Sequence, residues 1–209
     1  SPTQSRILWR TNSSSKRIIV FMDTQSVVHL RLAQRFNERF VGTPPAMLLN
    51  AALAAVWNAE CMTPVGPATY GRFMNVRGFD FWVHQRDMTM PLGINGDDSG
   101  VHAEIALDEV HGSLGYIAGK KIGLEDGMSI AFHLHGATQR DLFAAVDGRA
   151  KVVDSVDDPS VSISADMRTF MMLACGRIDP QQEIDAGRIS WTGDTSWGER
   201  AARNLRFTI

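Results

Sequence analysis

The chain has 209 residues, 44% of them hydrophobic, a formal net charge of −2 and only two cysteines, Cys61 and Cys175. That is apolar material for one good core or two small ones. It is too little charge for a nucleic-acid or acidic-membrane surface, and too few thiols for a disulfide framework.

No apolar run reaches the length of a membrane span and the opening SPTQSRILWR has no signal-peptide h-region, so a cytoplasmic protein is expected. Residues 1–20 read as an irregular Ser-rich, basic leader ending in a strand or helix start. Asp23 and Thr24 offer an N-cap for a helix carrying Val27, Val28, Leu32, Phe36 and Phe40, with His29 among them. Gly42 to Pro45 break the chain. The Ala- and Leu-rich AMLLNAALAAVWNAE (46–60) predicts a structural helix, and CMTPVGPAT (61–69) reads as a loop.

From Arg72 to Gly93 an apolar residue recurs every three to four positions (Phe73, Val76, Phe79, Val83), the spacing of one helix face. Asp80 and His84 lie four apart on the same wheel, with Asp87 three further on. Pro91 and Gly93 stop the helix. Two groups at i and i+4 can hold one divalent ion, the imidazole giving nitrogen and the carboxylate charge and oxygen. The same spacing equally describes an Asp/His pair that stabilises a helix by a few tenths of a kcal/mol.

INGDDSG (94–100) consists of turn residues and is the expected domain boundary. Residues 101–118 keep a helical period through Val101, Ile105, Val110, Leu114 and Ile117; His102 and His111 share no face at i, i+4 and are expected to be exposed. At Met128 the period becomes two, predicting a strand. DLFAAV, the Asp147-Gly148 turn, RAKVV and VSIS extend it to a sheet. His133 and His135 either bind metal as a His-x-His pair or line an open polar sheet face. DMRTFMMLACG (166–176) predicts a helix capped by Asp166 and stopped by Gly176. Asp179-Pro180 opens a short helix, RISWTG is a last strand and TSWGERAARNLRFTI a closing helix and tail. Strands and helices in this order, without βαβ alternation, indicate an α+β layer over an antiparallel sheet.

NVRGFDFWVHQRDMTMPLG resembles the signature of the mycothiol-dependent maleylpyruvate isomerase family, related to DinB-like metal-binding helical bundles, through Arg77, Asp80, Trp82, His84, Asp87 and Pro91 to Gly93. YIAGKKIGLEDGMSIAFHLHG, LACGRIDP and NLRFTI are similar to the same family. The resemblance implies two domains: an apparently shortened DinB-like helical metal-binding bundle over 1–94, and a sterol-carrier-protein-2-like α+β domain over 101–209, with an active site in the cleft between them. It makes Asp80 and His84 metal ligands, and His29, in the context VVHLRLAQRF, the third.

The cofactors it implies are a divalent metal, zinc foremost, and mycothiol, a low-molecular-weight actinobacterial thiol whose thiolate adds to an electrophilic carbon. Arg177, in the LACGR segment, is then the cation holding the carboxylates of a small substrate; it also suits a helix C-terminus on dipole grounds alone. The expected activity is a metal- and mycothiol-dependent isomerase or transferase. The alternative is a non-catalytic small-molecule or lipid-binding protein using the C-terminal domain. Either form has an apolar bundle face that suits a homodimer.

Overall fold

The computed structural model describes residues 45–64 and 66–208; the helix expected after Asp23, with His29, lies outside them. The chain groups into two compact units, Ser1–Gly71 and Arg72–Ile209.

In the first unit, α1 (Pro45–Trp57) starts on a proline, whose missing N–H costs nothing at a first helical position. Strands β1 (Glu60–Thr63) and β2 (Gly66–Thr69) then form an antiparallel hairpin with Glu60 opposite Thr69 and Thr63 opposite Gly66. The sequence reads as a loop here because arms of four residues carry too few positions to show an alternation. Thr63 Oγ1 closes the turn by donating to the Gly66 carbonyl at 2.7 Å.

Helix α2 (Tyr70–Thr89) is the helix expected from Arg72, followed by a 3₁₀ turn (Met90–Leu92) that Gly93 ends in the left-handed region at φ 67°. From Arg72 onward it is tied into the second unit. Arg72 grips Glu109 with both nitrogens of its fork, and Phe79, Trp82 and Val83 lie in the same core as the sheet and its helices. The turn-rich 94–100 stretch therefore lies inside the unit Arg72–Ile209.

Helix α3 (Gly100–Gly112) breaks at Ser113, and α4 (Leu114–Tyr116) continues as π-helical turns to Ile122, closed by Gly123 at φ 74°. The helix expected over 101–118 is thus interrupted at Ser113 and runs on to Ile122. Strands β3 (Ser129–His135), β4 (Arg140–Asp147), β5 (Arg149–Val153), β6 (Val161–Asp166) and β7 (Ile189–Gly193) form one sheet in the order β5-β4-β3-β6-β7. Helices α5 (Met167–Ala174), α6 (Pro180–Asp185) and α7 (Thr195–Arg203) complete the α+β fold.

The sheet is mixed, not purely antiparallel, because β6 runs parallel to β3. Strand β6 meets β3 through no hairpin. The end of β5 at Val153 is level, through Phe143 and Ala131, with Ser162, so the 154–160 connection re-enters the sheet beside the start of β3. Alternation in sequence carries a strand's face but not its direction.

One face of the sheet is the core. Ile130, Phe132, Leu134, Leu142, Ala144, Ile163 and Ala165 are buried on it, and the Phe132 ring meets Phe170 of α5 at a centroid distance of 5.3 Å. His133 and His135 are exposed on the other face. Among the described residues no helix is long and apolar enough to cross a membrane.

Candidate functional site

The last turns of α2 place His84, Arg86 and Asp87 within four residues on different sides of the helix. Arg86 points inward and is only 1% exposed. It stacks on the Trp82 ring, its Cζ 3.4 Å from the ring centroid, and donates to the Trp82 carbonyl at 3.0 Å, the Asp97 carbonyl at 2.7 Å and Asp98 Oδ1 at 2.5 Å. Asp98 Oδ2 accepts from Arg168 Nε of α5 at 2.5 Å, and Arg168 also holds Asn95 Oδ1 and the Gly96 carbonyl. The loop after α2 is therefore pinned by two arginines, Arg86 of α2 and Arg168 of α5.

Asp87 and His84 point outward. Asp87 receives Arg177 Nε on Oδ1 at 3.0 Å and Nη2 on Oδ2 at 3.2 Å, and His84 Nδ1 lies 3.1 Å from Oδ2. Arg177 Nη1 donates to the Cys175 carbonyl at 2.6 Å. Local sequence explains why Arg177 is there. Helix α5 ends in a Schellman motif, with Arg177 N–H donating to the Met172 carbonyl and Gly176 N–H to that of Leu173. The motif needs a left-handed residue after the cap, supplied by Gly176 at φ 65°. A Cβ there would also stand 2.6 Å from the Arg206 side chain. The tail packs alongside: Phe207 N–H donates to the Ala174 carbonyl at 3.0 Å, and its ring lies 6.2 Å from Phe79 of α2.

The electrostatics follow from these contacts. The Arg177 hydrogen bonds hold the Asp87 carboxyl below the usual aspartate range against the opposing effect of partial burial, with His84 adding to the depression. Asp87 in turn raises Arg177. Burial pushes the Cys175 thiol up to about 12, so at neutral pH it is a buried thiol and not a nucleophile.

Of the residues singled out from the sequence, the structure brings His84, Asp87 and Arg177 into one hydrogen-bonded cluster and sets half-buried Asp80 one helical turn before His84. His133 and His135 sit apart from them on the open sheet face, His133 paired with Asp141 at 2.8 Å. His29 is outside the described residues. Among the described residues no group of three or more His, Cys, Asp or Glu side chains is arranged to hold a metal ion. Asp80 and His84 supply two donors of types a divalent ion takes. His84 Nδ1 faces a carboxylate while Nε2 bonds no described residue, the arrangement common in ligating histidines. By donor type Asp80 and His84 suit a divalent ion, which would need at least one further ligand beyond these two.

Sequence reasoning did not find the Arg86, Asp98 and Arg168 network. An arginine inside an amphipathic helix reads as solvent-facing, and only the Trp82/Arg86 spacing of four hints at a stack.

Residues 104–200 match the model of the MDMPI C-terminal domain. No curated protein matches the chain. Among solved structures, the apo form of sterol carrier protein 2 from Yarrowia lipolytica is similar at 12% identity over 53% of this chain and 98% of its own, with a TM-score of 0.37. The sterol carrier protein domain 2 of Helicoverpa armigera is similar at 15% identity over 55% and 100%, TM-score 0.38. Sterol carrier protein 2 like 2 from Aedes aegypti is similar at 9% identity over 48% and 93%, TM-score 0.36. The family resemblance read from the sequence thus has support in the C-terminal part, where residues 104–200 match the MDMPI C-terminal domain. That span includes Arg177 and begins after Asp80, His84 and Asp87.

Proposed function

We propose that the chain is a metal-dependent, thiol-dependent isomerase or transferase acting on a small electrophilic, carboxylate-bearing substrate, with mycothiol as the thiol. The observation that supports this reading is the cluster of His84, Asp87 and Arg177 one helical turn beyond Asp80, on the helix that carries the family-like motif. Asp80 and His84 are the two ligands proposed from this helix, and His29 the third. A divalent ion with an open coordination position, zinc by its donor set, lowers the pKa of a bound thiol so that it is a thiolate at neutral pH. Asp87 accepts from His84 and from Arg177 at once, which orients the imidazole. Arg177, 21% exposed at its side chain, is the cation proposed to draw substrate carboxylates to this end of α2. Cys175, fully buried and with its pKa raised, leaves the nucleophile to come from the added thiol.

Elemental analysis of the purified full chain tests the reading. A full equivalent of zinc is expected in the wild-type protein, lost in His84→Ala, reduced in His29→Ala and retained in His133→Ala and His135→Ala. A full equivalent persisting in His84→Ala contradicts it, and a metal-free, lipid-loaded wild-type protein favours a carrier.

A further inference from the structure

We propose that Asp87, clamped by Arg177, is a positioning residue for His84: it fixes the imidazole as its Nδ1–H tautomer and so leaves Nε2 as the ligand atom. The proposal rests on the metal-binding reading of His84 for its consequence, though not for its geometry.

The geometry is as follows. Asp87 takes two hydrogen bonds from Arg177, one on each oxygen, so the carboxylate is held in place and is an acceptor only. The nitrogen 3.1 Å from Oδ2 is His84 Nδ1, and against an acceptor it has to be the donor. A neutral imidazole has one N–H, so a proton on Nδ1 leaves the Nε2 lone pair open. Free histidine favours the opposite tautomer, so a protein that needs Nε2 as ligand gains from a fixed acceptor at Nδ1.

A second histidine shows what the clamp adds. His133 Nδ1 also meets a carboxylate, Asp141 Oδ1 at 2.8 Å, but Asp141 is 60% exposed and bonds no arginine among the described residues. The neighbouring Arg140 goes to Glu104 and Asp108 instead. The Asp87 carboxylate, by contrast, is anchored from outside its own helix. Arg177 is itself fixed by Gly176 in the α5 Schellman motif and by the Cys175 carbonyl. The sequence distance of 90 between Asp87 and Arg177 makes this a tertiary device and not a helix-surface pair.

The test is done first without metal. Long-range proton–nitrogen NMR on the ¹⁵N-histidine-labelled, metal-free full chain, above the pH at which the imidazole signals stop moving, reports the tautomer of each ring. The wild-type protein is expected to show His84 mainly as Nδ1–H, beside exposed His135 as a reference mainly in the Nε2–H form. Asp87→Ala should return His84 to the reference pattern, and Arg177→Gln should move it part of the way. Asp87→Asn, which keeps the side-chain shape, guards against misfolding, and each variant's circular dichroism is matched to the wild type. Zinc affinity, by competition with a chromophoric chelator, should fall roughly 10–100-fold in Asp87→Ala. An Nε2–H majority for wild-type His84, a tautomer unchanged in both Asp87 variants, or equal zinc affinity in wild type and Asp87→Ala overturns the proposal. If the tautomer switches as expected but the wild type binds no zinc, the positioning role stands and the metal-binding reading alone fails.

Discussion

Replacing Arg86 with alanine should destabilise the unit Arg72–Ile209 by about 3–5 kcal/mol, the usual result of removing one partner from a buried ion pair. Arg86 is 1% exposed, and it satisfies Asp98 Oδ1 and the carbonyls of Trp82 and Asp97. Its removal leaves Asp98 Oδ1 without its donor, strips one hydrogen bond from the Asp97 carbonyl, which keeps His102 Nε2 at 3.2 Å, and opens a void over the Trp82 ring. Asp98 keeps Arg168, which limits the uncompensated charge and puts the expected loss toward the lower end. The network is not fully satisfied even in the wild type, since Arg86 Nε and Trp82 Nε1 are buried without partners among the described residues. Arg86→Met, which fills the space without presenting a buried cation, should therefore cost less than Arg86→Ala. Against a total stability of about 5–15 kcal/mol, a loss of about 3 kcal/mol is roughly a fifth to three-fifths of the whole. With a urea m-value of about 1–3 kcal/mol/M its midpoint should fall by roughly 1–3 M. Urea titrations followed by tryptophan fluorescence, with the Arg86→Ala/Asp98→Ala double variant to close the cycle, measure it. A loss under about 1 kcal/mol, or a double variant whose loss is the plain sum of the singles, would refute the reasoning.

Three further outcomes follow from the contacts around α5. The depressed Asp87 pKa means that its ionised form contributes stability fully above the ordinary aspartate range, lost only as the pH falls through the lower folded-state value. The stability difference between wild type and Asp87→Asn should thus stay constant down to that range and shrink only at more acid pH; a difference already gone in mildly acid buffer would contradict this. Gly176→Ala should cost about 1–2 kcal/mol for an L-residue at φ 65°, read as a lowered thermal midpoint, and an unchanged midpoint would show that the cap does not need glycine. Cys175, fully buried with its thiol pushed up to about 12, should resist iodoacetamide until urea opens the core, while half-buried Cys61 reacts in the folded protein; equal rates would place Cys175 at the surface.

Much of the second unit was legible because its signals are local. Asp147-Gly148 marked the β4–β5 turn, and Asp166 and Asp179 cap α5 and α6 by accepting from the N–H groups of Thr169 and Gln182. What sequence could not carry is tertiary. The direction of β6 depends on where the 154–160 connection re-enters the sheet, which no period records. The 94–100 stretch has the composition of a linker, yet Arg86 and Arg168 hold its carbonyls and Asp98, so its turn residues serve a fixed loop. In the site, the i, i+4 spacing showed that Asp80, His84 and Asp87 share a helix side. That Arg177 reaches Asp87 was invisible, because the link spans 90 positions and depends on a helix cap.

The most direct measurement on the proposed activity is the optical spectrum of the cobalt-substituted full chain titrated with mycothiol. The three proposed protein ligands, His29, Asp80 and His84, would leave a four-coordinate ion one position open to an added sulfur. A thiolate-to-cobalt charge-transfer band is therefore expected to grow with mycothiol, to fade as the pH falls and the thiol is protonated, and to be missing from His84→Ala. A spectrum unchanged by excess mycothiol in mildly alkaline buffer would contradict an open, thiol-activating site on α2.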